Sequence, residues 1–139
     1  MTSLFACFLT ASARASTQDH CDEKQDQWLH QAEPKTWGSL YRLFGQFGQY
    51  DDGEIAEGVS EDVAQLFLKQ WTHLDTLNHL ITSDKSFEKF VFRHIDATLS
   101  EDELRTIAHN SRAHCPTGEA RLCHSVGIEA DRSLNELRK

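Results

Sequence analysis

The sequence predicts an all-α protein, a compact array of about six short helices packed as helical hairpins. Apolar residues recur at the three- and four-residue intervals of an amphipathic helix, and no stretch keeps the alternation of a strand between turn signals. Only 2 prolines and 7 glycines interrupt the 139 residues. Hydrophobic residues make up 39% and charged residues 26% of the chain, a balance that suits a globular fold and not a disordered one. We divide the chain into a predicted signal peptide (1–15), a polar segment with a weak helix (16–35) and a helical domain (36–139).

The first fifteen residues have the features of an export signal. An apolar run from Leu4 to Leu9 leads into small residues and then Ala13-Arg14-Ala15, an A-x-A cleavage pattern. The run is too short to span a membrane, which takes about 20 apolar residues. No Lys or Arg precedes it, so two alternatives stay open: a weakly apolar terminus of a cytosolic protein, and a lipoprotein signal lipidated at Cys7. Export predicts a periplasmic or secreted protein.

The first half of the chain predicts a weak helix and then several stronger ones. Residues 16–35 are mostly polar, and their helix should end near Pro34. Thr36 can cap the next helix. We interpret 51–60 as a turn, a short helical piece and a helix cap at Ser60, followed by a bend near residues 72–73. The inward stripes of these helices are Trp37, Leu40, Tyr41 and Phe44, then Val63, Leu66, Phe67 and Trp71, then Leu74, Leu77, Leu80 and Ile81.

The second half predicts three further helices. Ser83 or Asp84 begins the first, and Ser100 with Glu103 forms the capping box S-x-x-E that begins the second. The last segment starts near Thr117, and Gly127 leaves open whether it is one helix. The inward residues are Phe87, Phe90, Val91 and Ile95, then Leu104, Ile107 and Ala108, then Leu122, Val126, Leu134 and Leu137. Aromatic stripes at this spacing are typical of a core and not of a ligand pocket.

Three cysteines would remain after removal of the signal. In an oxidising compartment Cys115 and Cys123 are the obvious disulfide pair, because residues 116–118 between them form a turn. Cys21 is then the odd thiol, which could pair between chains, stay buried or exchange with the other bridge. Without export, all the thiols stay unlinked. Adjacent His/Cys pairs at 20–21, 114–115 and 123–124 offer a zinc alternative, but Cys-x7-Cys is wider than a usual zinc knuckle. We predict no metal and no cofactor.

The charge of the chain favours a protein partner. The formal net charge of −8 disfavours nucleic acid and anionic membranes and favours a basic protein. Six carboxylates fall within residues 51–62, and they do not keep the register of an EF-hand. We predict that Asp51, Asp52, Glu54 and Glu57 contact the partner. A merely solvated loop is the plainer alternative, and general acid–base work by these carboxylates is a third.

His94 is the most interesting of the 8 histidines. Arg93 and Asp96 flank it at an i, i+3 spacing that allows an ion pair. The plainer interpretation is a partly buried helical histidine. The chain lacks a nucleophile elbow, a P-loop and a dinucleotide fingerprint, so we predict no catalytic residue and no enzyme. A weak hydrolase that uses the acidic residues and His94 ranks last among our hypotheses.

One set of motifs resembles a known group of proteins. The motifs are Asp-Asp-Gly-Glu-Ile-Ala-Glu-Gly-x-Ser over 51–60, Phe-Val-x-Arg-His-Ile-Asp-x-Thr over 90–98, Trp-Gly at 37–38 and Cys-Pro at 115–116. They resemble a group of small exported all-helical proteins of proteobacteria with no established activity, over about residues 36–125. Related chains often carry Cys where this chain has Tyr50. That departure could explain an unpaired cysteine here, and it puts any second disulfide in doubt. It implies export and a helical fold, and it names no reaction.

These observations together favour an exported binding protein without catalysis. The specific hypothesis is a periplasmic immunity or inhibitor protein directed against a toxin or a cell-wall enzyme. An acidic surface can cover a basic cleft and steer association. The alternatives are a small domain stabilised by a metal at the His/Cys pairs and a structural periplasmic protein.

Overall fold

The computed structural model describes the backbone of residues 14–139 and the side-chain surroundings from residue 22 onward. Residues 1–13, which hold most of the predicted signal, lie outside the described residues, as does the side chain of Cys21. Seven α-helices make up the described part, and two 3-10 turns at Gly48–Tyr50 and Trp71–His73 separate some of them. The α-helices are α1 (Arg14–Leu29), α2 (Trp37–Phe47), α3 (Gly53–Lys69), α4 (Leu74–Ser83), α5 (Lys85–Arg93), α6 (Glu101–Ala113) and α7 (Ala120–Leu137).

The all-α class is confirmed, and the number of helices is corrected from about six to seven over residues 14–139. The described residues contain no strand. Nor does any described helix have the length and apolar character needed to cross a membrane.

Local signals set most of the helix boundaries. Thr36 accepts a hydrogen bond from the Ser39 amide in a capping box, and Ser100 and Glu103 form the predicted one at the start of α6. Asp84 caps α5 by accepting from the amides of Ser86 and Phe87. Each of these side chains satisfies amides that the first helical turn leaves unpaired.

The helix cap predicted at Ser60 is absent, and the question that Gly127 left open is answered. Ser60 does not cap a helix, because α3 runs unbroken from Gly53 to Lys69 and Asp52 is its N-cap. Gly127 does not interrupt α7. A Cβ at position 127 would lie 2.6 Å from the Ser111 hydroxyl oxygen, so the glycine allows α6 and α7 to approach closely.

The core is a single cluster that all helices from α2 to α7 contribute to. The predicted aromatic stripes lie in it: Trp37 meets Phe67 with ring centroids 4.8 Å apart, and Phe44 meets Phe90 at 4.9 Å. Those edge-to-face and tilted pairs are favourable geometries for aromatic rings. Helices α6 and α7 form an antiparallel hairpin, and both the Arg112–Asp131 ion pair and the Cys115–Cys123 disulfide lie toward the end where the two helices are connected.

Helix α1 reaches the rest of the protein through α3. The ring of Trp28 occupies the space over Gly58, where any Cβ would collide with it. Gln25 Nε2 also donates to Glu54 Oε2 at 2.6 Å. A glycine inside α3 thus provides the place where an otherwise polar helix docks.

Candidate functional site: a buried polar network beneath an acidic helix face

A network of polar side chains lies between the start of α3, its middle and the turn after α5. His94, the C-cap of α5, is 2% exposed, and Ser60 on α3 is 1% exposed. The Ser60 hydroxyl lies 2.8 Å from His94 Nδ1 and donates to Asp96 Oδ2, also at 2.8 Å. On the other side of the ring, His94 Nε2 lies 2.8 Å from Asp51 Oδ2.

Asp51 joins this network from the turn that precedes α3. Its side chain is only 3% exposed, and it accepts hydrogen bonds from both His94 and the half-exposed Arg93. Burial opposes ionisation of Asp51, but the hydrogen bond and charge of His94 and the charge of Arg93 outweigh it. They hold the pKa of Asp51 below its usual 3.8. The carboxylate is therefore ionised in the folded protein at neutral pH.

Counting the available protons assigns a donor and an acceptor to each hydrogen bond of the network. A serine hydroxyl has one proton, and Ser60 gives it to Asp96. The Ser60 oxygen must then accept from His94 Nδ1, and the Asp51 carboxylate, which can only accept, must receive the proton on His94 Nε2. This assignment places the two ring nitrogens of His94 between the Ser60 oxygen and the Asp51 carboxylate, both as acceptors.

Asp96 also fixes the turn that carries His94. Its Oδ1 accepts from the Thr98 amide at 2.9 Å and from the Thr98 hydroxyl at 2.5 Å. The predicted ion pair between Arg93 and Asp96 does not form: Arg93 pairs with Asp51, while Asp96 receives Ser60. Helix α5 ends at Arg93, so Asp96 lies beyond the helix and does not share a helix face with Arg93.

The combination Ser60, His94 and Asp51 contains the residue types of a serine hydrolase triad. A nucleophile must reach its substrate and a base must take its proton. Here the Ser60 hydroxyl is buried within α3 and donates to a carboxylate, and the described cavities of about 660, 420 and 490 Å³ are lined by neither Ser60 nor His94. The geometry ties three chain segments together, and in it the Ser60 hydroxyl is buried and already donates to Asp96.

The four residues predicted to contact a partner separate into different roles. The side chain of Asp51 is buried and hydrogen-bonded to His94 and Arg93, so it does not lie on a contact surface. Asp52 is the N-cap of α3 and accepts from the Gly53 amide. Glu54 and Glu57 are exposed, and Glu61, also exposed, continues their face one turn further along α3. We call Glu54, Glu57 and Glu61 the acidic face.

The structure contains the predicted disulfide between Cys115 and Cys123, with Cα atoms 6.0 Å apart. Both sulfurs are engaged in it, so neither is available as the thiolate ligand that the zinc alternative needs. Among the described residues, no group of three or more His, Cys, Asp or Glu side chains is arranged to hold a metal ion.

Asp62 is a perturbed group that sequence reasoning did not single out. Burial raises its pKa to about 7, and the neighbouring charges of Glu33 and Glu61 add to the effect. Glu33 lies in the loop before α2, and no local sequence pattern indicates that its charge acts on Asp62. By contrast, the motifs of the resemblance did contain a signal, because they include every member of the network: Asp51, Ser60, Arg93, His94, Asp96 and Thr98.

The comparisons with known proteins add no relative: no protein-family model, no curated protein and no solved structure matches this chain.

Proposed function

We propose that this protein is an exported binding protein without catalytic activity, and that it captures a basic protein partner on its acidic face. The observation that carries the proposal is the anchoring of the turn before α3. Asp51 joins that turn to α5 through buried contacts with His94 and Arg93. The position of the turn then sets where α3 and its exposed carboxylates begin.

A fixed acidic surface suits binding for two physical reasons. Groups that are already held in place lose little conformational entropy on association. A cluster of like charges also speeds the encounter with an oppositely charged cleft and excludes acidic competitors. The net charge of −8 acts in the same direction over longer distances.

The specific form of the proposal is an immunity or inhibitor protein that covers the basic cleft of a toxin or a cell-wall enzyme in the periplasm. The A-x-A pattern at residues 13–15, the resemblance to exported helical proteins and the Cys115–Cys123 bridge support export. Mass spectrometry of the protein from the periplasm should give a mature chain that begins at Ser16. A chain that retains Met1 and is recovered from the cytosol would contradict export.

The binding surface is tested by matched charge reversals. Glu54→Lys with Glu57→Lys reverses two exposed carboxylates of the acidic face, and Gln25→Ala shows separately what loss of the Gln25–Glu54 hydrogen bond does. Asp75→Lys with Glu136→Lys is the control, because it changes the net charge equally and also combines one first-turn acidic residue with one further along a helix. Each tagged variant is used to capture partners from periplasmic extract of the organism that makes the protein.

We expect wild type and the control variant to capture a basic protein. The Glu54/Glu57 variant should fail to capture it. Raising the salt concentration should release it, since exposed charges are screened beyond about 10 Å at 0.1 M salt. Equal retention by both charge-reversed variants would remove the acidic face from the account.

A further inference from the structure

Helix α1 lies on part of the acidic face. Gln25 Nε2 donates to Glu54 Oε2 at 2.6 Å, and Glu54 is a member of that face. The ring of Trp28 lies over Gly58, the residue after Glu57, and a Cβ at position 58 would collide with the ring. A partner that binds the acidic face therefore competes with α1 for the same part of α3.

A cation completes the contact between α1 and the rest of the protein. Lys24 Nζ lies 5.7 Å from the centroid of the Tyr50 ring, a distance within the range of a cation–π interaction. Lys24, Gln25 and Trp28 are partly buried, whereas the other side chains between residues 22 and 29 are exposed. Trp28 follows the other two at four and three residues, which is the spacing of one helix face. The surface that receives them, which we call the α1 groove, consists of Tyr50, Glu54 and Gly58.

Three observations indicate that α1 is held weakly. The large apolar residues among its described side chains are Trp28 and Leu29, and Leu29 is 57% exposed. The indole nitrogen of Trp28 is buried without a hydrogen-bond partner among the described residues, and such a donor regains a bond to water when the ring leaves. A cavity of about 660 Å³ separates α1 from Gln46 and Phe47 at the end of α2. A helix with so few buried apolar contacts detaches at low cost in free energy.

The charge of α1 also opposes its position. Its described side chains include the three exposed carboxylates of Asp22, Glu23 and Asp26 and one cation, Lys24. The helix therefore brings net negative charge to a negative face. Like charges that face each other weaken an association, and opposite charges strengthen it. A helix with the same contact residues and with basic residues in place of these carboxylates would suit the groove better than α1 does.

We propose that the α1 groove binds a basic helix of the partner, with an aromatic residue and cations at the spacing of Lys24, Gln25 and Trp28, and that α1 occupies the groove until the partner displaces it. An arginine at the position of Gln25 would give Glu54 a charge-assisted bond in place of a bond from an amide. The basic character of the occupant rests on the proposed function, whereas the exchange of one helix for another does not.

A synthetic helix tests this exchange. The probe is a peptide of residues 18–32 whose sequence is made basic and free of thiol by Cys21→Ser, Asp22→Lys, Gln25→Arg and Asp26→Lys. A control peptide carries Trp28→Ala in addition. Binding to the full chain is followed by the chemical shifts of the protein amides. We expect the probe to shift the amides of the α1 groove with a dissociation constant of about 0.01–1 mM, and the control peptide to bind at least about tenfold more weakly.

Two variants of the protein should change the affinity in opposite directions, although both release α1. Trp28→Ala removes the anchor of α1 and leaves the groove open, so the protein should bind the probe about fivefold more tightly. Gly58→Ala fills the groove with a methyl group, so the affinity should fall about fivefold or more. Alanine is a better helix former than glycine, so α3 keeps its fold in this variant. Gly45→Ala is the matched control, because a Cβ there meets nothing within 4 Å, and it should change the affinity less than about twofold.

The outcomes separate this proposal from the proposed function. An affinity that does not rise in Trp28→Ala, or a Gly58→Ala protein that binds the probe as tightly as wild type, would overturn the exchange of helices. If Glu54→Lys with Glu57→Lys still captures the basic protein from extract, the proposed function fails at the acidic face. That second result leaves the opposite effects of Trp28→Ala and Gly58→Ala on probe binding to decide the exchange.

Discussion

Asp51→Asn is the perturbation that most clearly separates a structural network from a merely polar surface. Asparagine keeps the shape of the side chain but removes the charge that faces His94 and Arg93. A hydrogen bond to a buried charged group is worth about 1.5–3 kcal/mol, and the bond from the 2%-exposed His94 falls in that class. The half-exposed Arg93 adds less, about 0.5 kcal/mol. We therefore expect a loss of about 3 kcal/mol in the free energy of unfolding, equivalent to about 10 °C in Tm.

The neighbouring residue provides a matched control. Asp52→Asn makes the same chemical change one position along the chain, at the N-cap of α3. Asparagine caps helices about as well as aspartate, so this variant should lose less than about 0.5 kcal/mol. Urea unfolding followed by circular dichroism at pH 7 measures both variants.

The pH dependence gives a second readout. Because the folded protein holds the pKa of Asp51 below 3.8, the ionised carboxylate contributes stability that is present above pH 3.8 and is lost as the pH falls through the lower folded value. The gap between wild type and Asp51→Asn should therefore narrow in acid. Two results would contradict a stabilising role for the Asp51 charge. One is an equal loss of unfolding free energy in Asp51→Asn and Asp52→Asn at pH 7, and the other is a difference between wild type and Asp51→Asn that does not change with pH.

Four further variants test three other parts of the structure. Gly58→Ala should displace Trp28 and loosen α1, which a change in tryptophan fluorescence would show; an undisturbed Trp28 would count against the docking of α1. Gly45→Ala is the control, because a Cβ there meets nothing within 4 Å, and it should stabilise α2 by about 0.5–1 kcal/mol. Asp62→Asn should stabilise the protein at pH 8 by about 1 kcal/mol after allowance for partial exposure. Because the pKa of Asp62 is raised to about 7, its contribution to stability is full below pH 3.8 and is lost as the pH rises through 7. Urea unfolding should therefore show the largest difference between this variant and wild type at pH 8, a smaller one at pH 5 and almost none below pH 3.8; a constant difference would contradict the assignment. Replacing Cys115 and Cys123 by serine should cost about 2–3 kcal/mol by the loop-entropy argument, measured by thermal unfolding, and an unchanged Tm would show that the bridge does not constrain the unfolded chain.

Most of the fold could be predicted because its signals are local. The capping box at Ser100 and Glu103 and the 3.6-residue stripes each depend on residues within two turns of one another. The break predicted at Ser60 was wrong for the same reason. Serine is a good helix cap when its hydroxyl is free to accept from the helix amides. In this protein the Ser60 hydroxyl is hydrogen-bonded to Asp96 and His94, which lie 36 and 34 residues away in the sequence.

The site could be predicted only in part. The sequence directed attention to the acidic segment and to His94, yet it assigned Asp51 to the surface and paired Arg93 with Asp96. Both errors concern partners brought together by packing, since Asp51 and Arg93 lie 42 positions apart. Asp62 was missed because a lone aspartate within a helix has no distinctive pattern, and only its burial near Glu33 and Glu61 makes it notable.

We infer that Ser60, His94 and Asp51 form a buried structural tie and not a catalytic apparatus. The most direct test is nitrogen NMR of the His94 ring in the native protein near neutral pH. The network predicts protons on both Nδ1 and Nε2, shielded from exchange with water by the burial of the ring. A neutral ring with an unprotonated Nδ1 that accepts the Ser60 proton would contradict the account, because Ser60 would then be poised as it is in a hydrolase triad.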